Sequence, residues 1–325
     1  YKVENSELVP VKHELAEEAI RKIQGLFADE PKEFLQPIET WARLLEYPVP
    51  EFRRVALDIE VFTPTIEIEG KLTFRVPDPR EAAYPVLCAA LFDSDGKKRI
   101  LLWKRPQVRE GAVKIPSDVN IEYCESEENL LLAVFEALWD YPFVVTFNGD
   151  DFDLHYLWNR AAKLGIRSSR VPIEIGRKVC LLKYGVHIDL YKFFFNRSIQ
   201  IYAFGQRYRD VTLDEVGDAL IGLTKLELTK GLNDLTYTEL AQYCLRDAEI
   251  ALKLTTFNDD LVMKLILAVT RISRMPMEDV SRQGVSRWIR NFLQFEHRRR
   301  NMLIPNTDDI LAIKGKTVTK AIIKG

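Results

Sequence analysis

An alternation of apolar and polar residues between Val55 and Val61 constrains the fold more than any other feature of the sequence. Every odd-numbered residue of this stretch is Val, Leu or Ile, whereas the even-numbered residues are Ala56, Asp58 and Glu60. Successive side chains leave a β-strand on opposite faces, so the pattern predicts a strand with one apolar and one acidic face. Two carboxylates on one face repel each other, and a bound cation would relieve that repulsion. The alternative is a half-exposed edge strand whose acids are solvated.

The composition is typical of a globular protein without membrane spans, and it leaves a nucleic-acid partner open. The 325 residues are 47% hydrophobic and 29% charged, with a formal net charge of -2. A near-neutral total neither supports nor excludes DNA binding, because binding depends on where the charge lies. No apolar run reaches the roughly 20 residues of a membrane span, and the four cysteines lack zinc-binding spacing. We therefore predict a cytoplasmic protein with reduced thiols and no membrane partner.

A second acidic segment follows a predicted buried strand. The run 143–147 is apolar except for Thr146 and ends at Asn148-Gly149-Asp150-Asp151-Phe152-Asp153, where a helix is predicted to begin. Open α/β sheets bind ligands at such junctions, at the carboxyl ends of their strands. Capping of the helix by Asp150 or Asp151 is the simpler role, although three aspartates and an asparagine are more than one cap requires.

A third acidic position lies on a predicted long helix. The capping box Thr236-x-x-Glu239 opens this helix, which contains Tyr243 and Asp247. Residues four apart lie one turn apart on the same helix face, so Tyr243 and Asp247 are predicted to be neighbours. A simple surface contact between the two side chains is the alternative.

Four acids on three separate elements have the chemistry of a site for hard cations. They are Asp58, Glu60, Asp153 and Asp247. Oxygen ligands without histidine or cysteine favour Mg²⁺ or Mn²⁺, and four carboxylates can hold two such ions. Two ions about 3.5–4 Å apart are a known arrangement for in-line attack of water on a phosphodiester. Tyr243 would orient that water, because a phenol with a pKa of about 10 is a poor base unaided.

These segments resemble the exonuclease motifs of family B DNA polymerases. Asp58-Ile59-Glu60 resembles the first motif, Asn148-x-x-x-Phe152-Asp153 the second and Tyr243-x-x-x-Asp247 the third. Their order and spacing are similar to those of the tyrosine-type DEDD 3′–5′ exonucleases. The stretches 187–191, 279–282 and 300–305 are similar to archaeal members, and the stretches 146–153 and 190–195 are similar to crenarchaeal members in particular. The resemblance implies an α/β fold of the ribonuclease H-like exonuclease type, a mixed central sheet flanked by helices, with additional and mostly helical flanking segments.

The resemblance also implies a role for each motif residue. The expected ligands of two Mg²⁺ or Mn²⁺ ions are Asp58, Glu60, Asp153 and Asp247, and the residue expected to position water is Tyr243. Asn148 and Phe152 would contact the DNA strand near its 3′ end. Phe62, two residues beyond Glu60, would either stack on the terminal base or belong to the core.

The implied function is proofreading, a metal-dependent hydrolysis of DNA 3′ ends. The palm motifs of a polymerase are absent from the sequence, so we expect an amino-terminal piece of a polymerase that lacks the polymerase active site. The expected partners are single-stranded 3′ ends, primer–template DNA and the remaining palm, fingers and thumb, with a sliding clamp as a further candidate. A non-catalytic DNA-binding or scaffolding module and a DEDD-type ribonuclease are the alternatives.

The resemblance implies four segments. They are residues 1–50, a remnant of the polymerase amino-terminal domain; 51–258, the exonuclease domain; 259–304, a helical return segment of the amino-terminal domain; and 305–325, the truncated start of the palm.

Other stretches give weaker predictions. Helices are predicted over 14–27, after Ser126, after Thr212 and over 281–303, and a hairpin is predicted over 85–103. Prolines at 31, 37, 48 and 50 are expected to break the chain after the first helix, and irregular chain is predicted over 62–80. His187 and Asp189 are both expected to be structural, with a position near the site as the alternative for Asp189. The basic run His297-Arg298-Arg299-Arg300 suits either the carboxyl end of a helix or a DNA-facing edge.

Overall fold

A computed structural model describes residues 2–4, 7–9, 17–68, 71–228 and 230–304 of the chain. Its strands are β1 (Lys2–Glu4), β2 (Glu7–Val9), β3 (Arg54–Val61), β4 (Thr65–Ile68), β5 (Lys71–Phe74), β6 (Val86–Asp93), β7 (Lys98–Trp103), β8 (Val119–Cys124), β9 (Phe143–Thr146), β10 (Ile173–Gly176), β11 (Val179–Leu182) and β12 (Val186–Asp189). Its helices are α1 (Glu17–Leu26), α2 (Lys32–Glu46), α3 (Glu127–Asp140), α4 (Asp153–Lys163), α5 (Leu190–Phe195), α6 (Leu213–Ile221), α7 (Tyr237–Ser273), α8 (Met277–Arg282) and α9 (Val285–Arg299). None of the helices in these ranges is long and apolar enough to cross a membrane.

The central sheet has the strand order β12-β9-β3-β6-β7-β8. β3 pairs in parallel with β9 and antiparallel with β6, so it lies inside the sheet at the point where the pairing changes direction. The predicted mixed sheet flanked by helices is therefore confirmed. The alternative of an edge strand with solvated acids is wrong, because β3 has a neighbour on each side.

The two faces of β3 belong to two separate apolar clusters. Leu57 and Ile59 pack in one cluster with residues of α3 and α4 such as Leu131 and Leu154. Ala56 lies in the other cluster, which is covered by α7. Asp58 and Glu60 leave β3 on the face of Ala56, as their spacing predicts. The acidic face is therefore covered by α7 rather than exposed to solvent.

The helix α7 begins as predicted and is interrupted near its middle. The Thr236 N–H donates to the Glu239 carboxylate at 2.8 Å, which satisfies one amide at the helix start. Helical backbone angles are lost at Phe257–Asp260, and the last three of these residues have positive φ. The interruption coincides with the predicted end of the exonuclease segment at residue 258, and the division into segments stays a prediction.

Several local predictions were wrong, mainly where tertiary packing prevails over local signals. Prolines were expected to break the chain after the first helix, but α2 forms there and runs through Pro37 at the cost of one backbone hydrogen bond. The irregular excursion over 62–80 contains the antiparallel β4–β5 hairpin, and the edge strand β8 was not predicted. The helix predicted over 281–303 is divided into α8 and α9. The predicted start of the palm, 305–325, lies outside the described residues.

Candidate metal centre and active site

Three of the predicted acids converge on one point. Carboxylate oxygens of Asp58, Glu60 and Asp247 lie within 4.8 Å of one another. β3 supplies the first two, because residues two apart on a strand share a face. α7 packs against that face and supplies the third. The acids are thus gathered by the packing of a helix on a sheet rather than by closeness in sequence.

The fourth predicted acid lies against the same strand. Asp153 is the first residue of α4 and is buried. Its Oδ1 atom accepts a hydrogen bond from the Ile59 N–H at 3.3 Å, between Asp58 and Glu60 along the strand. Its charge acts on both neighbouring acids and raises their pKa values. Asp153 thus borders the group of three.

Burial and mutual repulsion raise the pKa values of all four carboxyl groups. Burial is the largest cause in each case, and neighbouring carboxylates add to it. The pKa of Glu60 rises to about 8 and that of Asp153 to about 7. Asp247 Oδ1 is buried and, among the described residues, has no hydrogen-bond partner. Unsolvated carboxylates with a free oxygen fit a hard divalent cation.

A lysine that the sequence reasoning missed lies within the acidic group. Lys225 Nζ is 2.5 Å from Asp247 Oδ2, and it lies 5.6 Å from the centre of the Tyr243 ring. Its charge lowers the pKa values of Asp58, Glu60 and Asp247 and so offsets part of their repulsion. Nothing in the local pattern marks this residue, because it lies in irregular chain between α6 and α7.

Tyr243 lies one turn before Asp247, on the side of α7 that faces the acids. Burial is the main reason that the pKa of its hydroxyl rises to about 12. The phenol therefore stays protonated at neutral pH and can act as a hydrogen-bond donor or acceptor, but not as a strong base. The next residue, Cys244, places its thiol 3.4 Å from Asp58 Oδ2, where it donates to the carboxylate.

The turn between β9 and α4 is fixed by a buried carboxylate. Asp189 accepts hydrogen bonds from the N–H groups of Asn148 and Asp150 at 3.0 and 3.1 Å. It also caps α5 by accepting from the Tyr191 N–H at 3.0 Å. Asp189 is thus a structural residue, as predicted, and because its charge raises the pKa of Asp153 it also lies near the site. Asn148 has a φ of 74°, a left-handed conformation that asparagine tolerates better than most residues.

The prediction that Asp150 or Asp151 caps α4 was wrong. Phe152 occupies the N-cap position and makes no side-chain cap. Asp150 instead pairs with Arg282 and accepts from the Cys180 N–H at 2.7 Å, while Asp151 pairs with Lys192. A buried guanidinium attracts a carboxylate more strongly than the backbone amides of a helix start do.

His187 is a structural residue, as predicted. It is fully buried, with Nε2 at 2.8 Å from Thr146 Oγ1 and Nδ1 at 2.8 Å from an Arg282 nitrogen. It therefore belongs to the polar network beneath the β9–α4 turn.

The two candidate DNA-contacting aromatics are half-buried. The Phe62 ring lies 5.8 Å from the Tyr84 ring in a stacked arrangement, and Phe152 lies 5.7 Å from Tyr156. Each ring packs on the margin of a core cluster. Contact of Asn148, Phe152 and Phe62 with DNA stays a prediction.

A known protein family matches the part of the chain that carries the first two motifs. The family model for "DNA polymerase family B, exonuclease domain" matches residues 33–200, which include β3 and the β9–α4 turn. The chain belongs to DNA polymerase family B.

Curated relatives of this family B chain are archaeal DNA polymerases. It is 42% identical to DNA polymerase 1 of Sulfolobus acidocaldarius over 325 residues, which is 100% of the chain and 36% of the relative. It is equally 42% identical to DNA polymerase 1 of Saccharolobus solfataricus, with the same coverage. DNA polymerase 1 of Aeropyrum pernix is 38% identical over 90% of the chain and 30% of the relative. The chain thus spans about 36% of the length of the first of these relatives.

A solved structure shares the fold. The family B DNA polymerase of Pyrobaculum calidifontis superposes with a TM-score of 0.54 over 79% of this chain and 30% of that chain, at 18% identity. This likeness and the strand order agree with the ribonuclease H-like exonuclease fold that the motifs predict.

Proposed function

We propose that this family B chain is a metal-dependent 3′–5′ exonuclease that hydrolyses DNA 3′ ends during proofreading. The observation that carries the proposal is the convergence of buried acids from β3 and α7, with Asp153 at the start of α4 beside them. The match to the exonuclease domain of the family indicates the class of reaction, hydrolysis of a phosphodiester. The alternative of a degenerate, non-catalytic module is not favoured, because the four acids and Tyr243 all lie together.

Asp58, Glu60, Asp153 and Asp247 would hold two Mg²⁺ or Mn²⁺ ions. The raised pKa values and the unpartnered Asp247 oxygen support this, since each carboxylate gains by pairing with a cation. When bound, such ions polarise the attacking water and offset charge on the leaving oxygen. Lys225 supplies one further positive charge next to Asp247.

The remaining residues of the site would orient water and substrate. Tyr243 would direct the attacking water through its protonated hydroxyl. Asn148 and Phe152 would contact the strand near its 3′ end, and the Phe62 ring would stack on a base. Stacking accepts any base, as an exonuclease for mispaired ends requires. Selectivity would come from fraying, since a mismatched end unpairs at lower cost than a matched one.

The chain would work as part of a larger polymerase. Its relatives are named DNA polymerases, and the chain covers 36% of the first of them. We propose that palm, fingers and thumb complete the enzyme and deliver primer–template DNA, that a sliding clamp is a candidate partner, and that the protein acts in the cytoplasm. The proposed segments are 1–50, 51–258, 259–304 and 305–325, as the resemblance implies.

The test is degradation of a 5′-labelled single-stranded DNA oligonucleotide by this chain with Mg²⁺, with Mn²⁺ and with EDTA. We expect stepwise shortening from the 3′ end that requires a divalent cation and is abolished in Asp58→Asn and Asp153→Asn. Asp95→Asn is the matched control, because Asp95 is exposed in the β6–β7 turn. Metal-independent degradation, or undiminished activity of the Asp58 variant, would overturn the proposal. Faster cleavage of a matched RNA would favour the ribonuclease alternative.

A further inference from the structure

We infer that a cavity beside Phe62, built around Arg105, binds a backbone phosphate of the DNA strand whose 3′ end reaches the four acids. The inference rests on the proposed function and adds to it a subsite outside the three motifs. The cavity has a volume of about 770 Å³ and is lined by the loop 105–109, by residues 233–236 and by Phe62.

The cavity adjoins the candidate metal site along two elements. Phe62 follows Glu60 by two residues, a distance of about 7 Å along a strand. Thr236 precedes Asp247 by eleven residues, or about 16 Å along a helix. A strand that places its end at the acids would therefore pass Phe62 and reach this cavity with its upstream backbone.

Arg105 brings an uncompensated positive charge to the cavity wall. Its Nε and Nη2 atoms are buried and make no hydrogen bond within the described part of the chain. Burial lowers the pKa of Arg105, and the groups that counter this effect are Tyr237 and Cys88 rather than a carboxylate. Burial of a cation without an anion costs free energy, so an anion bound at this wall of the cavity would stabilise Arg105.

The loop that carries Arg105 is held in place before any ligand arrives. The Tyr237 hydroxyl donates to the Arg105 carbonyl at 2.9 Å and accepts from the Arg105 N–H. The carbonyl groups of Arg109 and Glu110 accept from the N–H groups of Tyr237 and Thr238 at 3.0 and 2.9 Å. The loop is thus docked on the first turn of α7, and a ligand would not have to order it.

The lining favours a phosphodiester over other anions. The residues that line the cavity include two cations, Arg105 and Arg109, and one acid, Asp234. The positive charge of a guanidinium attracts a phosphate, and an aromatic ring beside it offers a stacking surface. A phosphate-binding cation next to a stacking ring is the combination that binds single-stranded nucleic acid. Free phosphate would use the cation but not Phe62.

The test compares Arg105→Gln with Lys104→Gln in binding of a labelled single-stranded oligonucleotide, measured by fluorescence anisotropy in EDTA. Lys104 is the matched control, because it is the adjacent residue and pairs with Glu125 at 2.9 Å on the surface. We expect Kd to rise about 10-fold in Arg105→Gln and little in Lys104→Gln. The slope of log Kd against log salt should fall by about 0.7, as for the loss of one single-strand phosphate contact. Because EDTA prevents metal-dependent cleavage, this result does not depend on the proposed activity.

A scan with single methylphosphonates identifies the phosphate. At one position of the oligonucleotide, replacement of the charged phosphate should weaken binding by the unsubstituted protein about 10-fold. The same replacement should leave binding by Arg105→Gln unchanged. The inference is overturned if every position weakens both proteins equally, or if inorganic phosphate binds at Arg105 as tightly as the oligonucleotide.

A structural role of Arg105 is tested by melting temperature and by Arg105→Lys. We expect Arg105→Gln to melt no lower than the original chain, and Arg105→Lys, which keeps the charge, to regain part of the affinity. A lowered melting temperature without recovery in Arg105→Lys would assign Arg105 to the fold instead.

Discussion

The Arg282 guanidinium donates two hydrogen bonds to the Asp150 carboxylate, at 2.7 and 3.1 Å, from a residue 132 positions away in the sequence. Both side chains are nearly inaccessible to solvent. The pair attaches α8 to the turn that carries Asn148 and leads into Asp153. A segment outside the three motifs therefore supports the geometry of the second one.

Replacement of Arg282 by Met is expected to lower the free energy of unfolding by about 3–5 kcal/mol, because it leaves the Asp150 carboxylate buried without its cation. Urea denaturation measures this change. Arg290→Met is the control, since Arg290 is exposed on α9. The double variant Asp150→Asn with Arg282→Met should recover part of the loss. An Arg282 variant as stable as the control would contradict the structural role of the pair.

Addition of Mn²⁺ is expected to raise the melting temperature of this chain, because a ligand that binds only the folded state stabilises it. The effect should be lost or strongly reduced in Asp58→Asn, which removes one of the proposed charged ligands, and retained in Asp95→Asn. Thermal unfolding monitored by circular dichroism, with a titration of Mn²⁺, gives the comparison. Equal stabilisation of the Asp58 and Asp95 variants would place the ion elsewhere.

Without metal, stability is expected to fall as the pH rises from 5 to 8.5. The folded-state pKa of Glu60 is about 8, above its ordinary value of 4.5, so ionisation of Glu60 opposes folding. Its contribution to stability is complete below pH 4.5 and is lost as the pH rises through 8. The slope for one such group reaches about 1.4 kcal/mol per pH unit. Asp153, with a pKa of about 7, acts in the same direction.

Urea denaturation in EDTA at several pH values tests this dependence. Glu60→Gln cannot ionise at this position and should flatten the curve, whereas Glu51→Gln, on the exposed chain before β3, should not. Stability that is constant or that rises over this range would contradict the assigned burial of the acids.

Replacement of Tyr243 by Phe is expected to lower kcat by about 10- to 100-fold, the usual cost of losing a group that orients a participant in a metal site. The metal concentration for half-maximal activity should change little, because Tyr243 is not among the expected ligands. Tyr202→Phe is the control, since Tyr202 is 86% exposed. If the Tyr243 variant lost both its activity and its ability to bind metal, the hydroxyl would do more than orient water.

The sequence was sufficient to predict the acids that meet, but not every contact that brings them together. The alternation in β3 and the spacing of Tyr243 and Asp247 follow from strand and helix geometry, so both could be read directly. Lys225 lies on irregular chain, which lacks the regular repeat of a helix or strand. Its neighbours in space therefore could not be inferred from its position in the sequence. The pairing of Asp150 with Arg282 joins distant segments, and capping was the nearer explanation for an aspartate before a helix. Roles of the site residues in catalysis stay predictions.

The register of β3 is set by its pairing with a parallel neighbour, β9, and an antiparallel neighbour, β6. Because strand side chains alternate, a shift by one residue would turn Asp58 and Glu60 into the apolar cluster of α3 and α4 and bring Leu57 and Ile59 under α7. A single inserted residue within this strand would thus invert the site, whereas most insertions in the turns around it would only lengthen a loop.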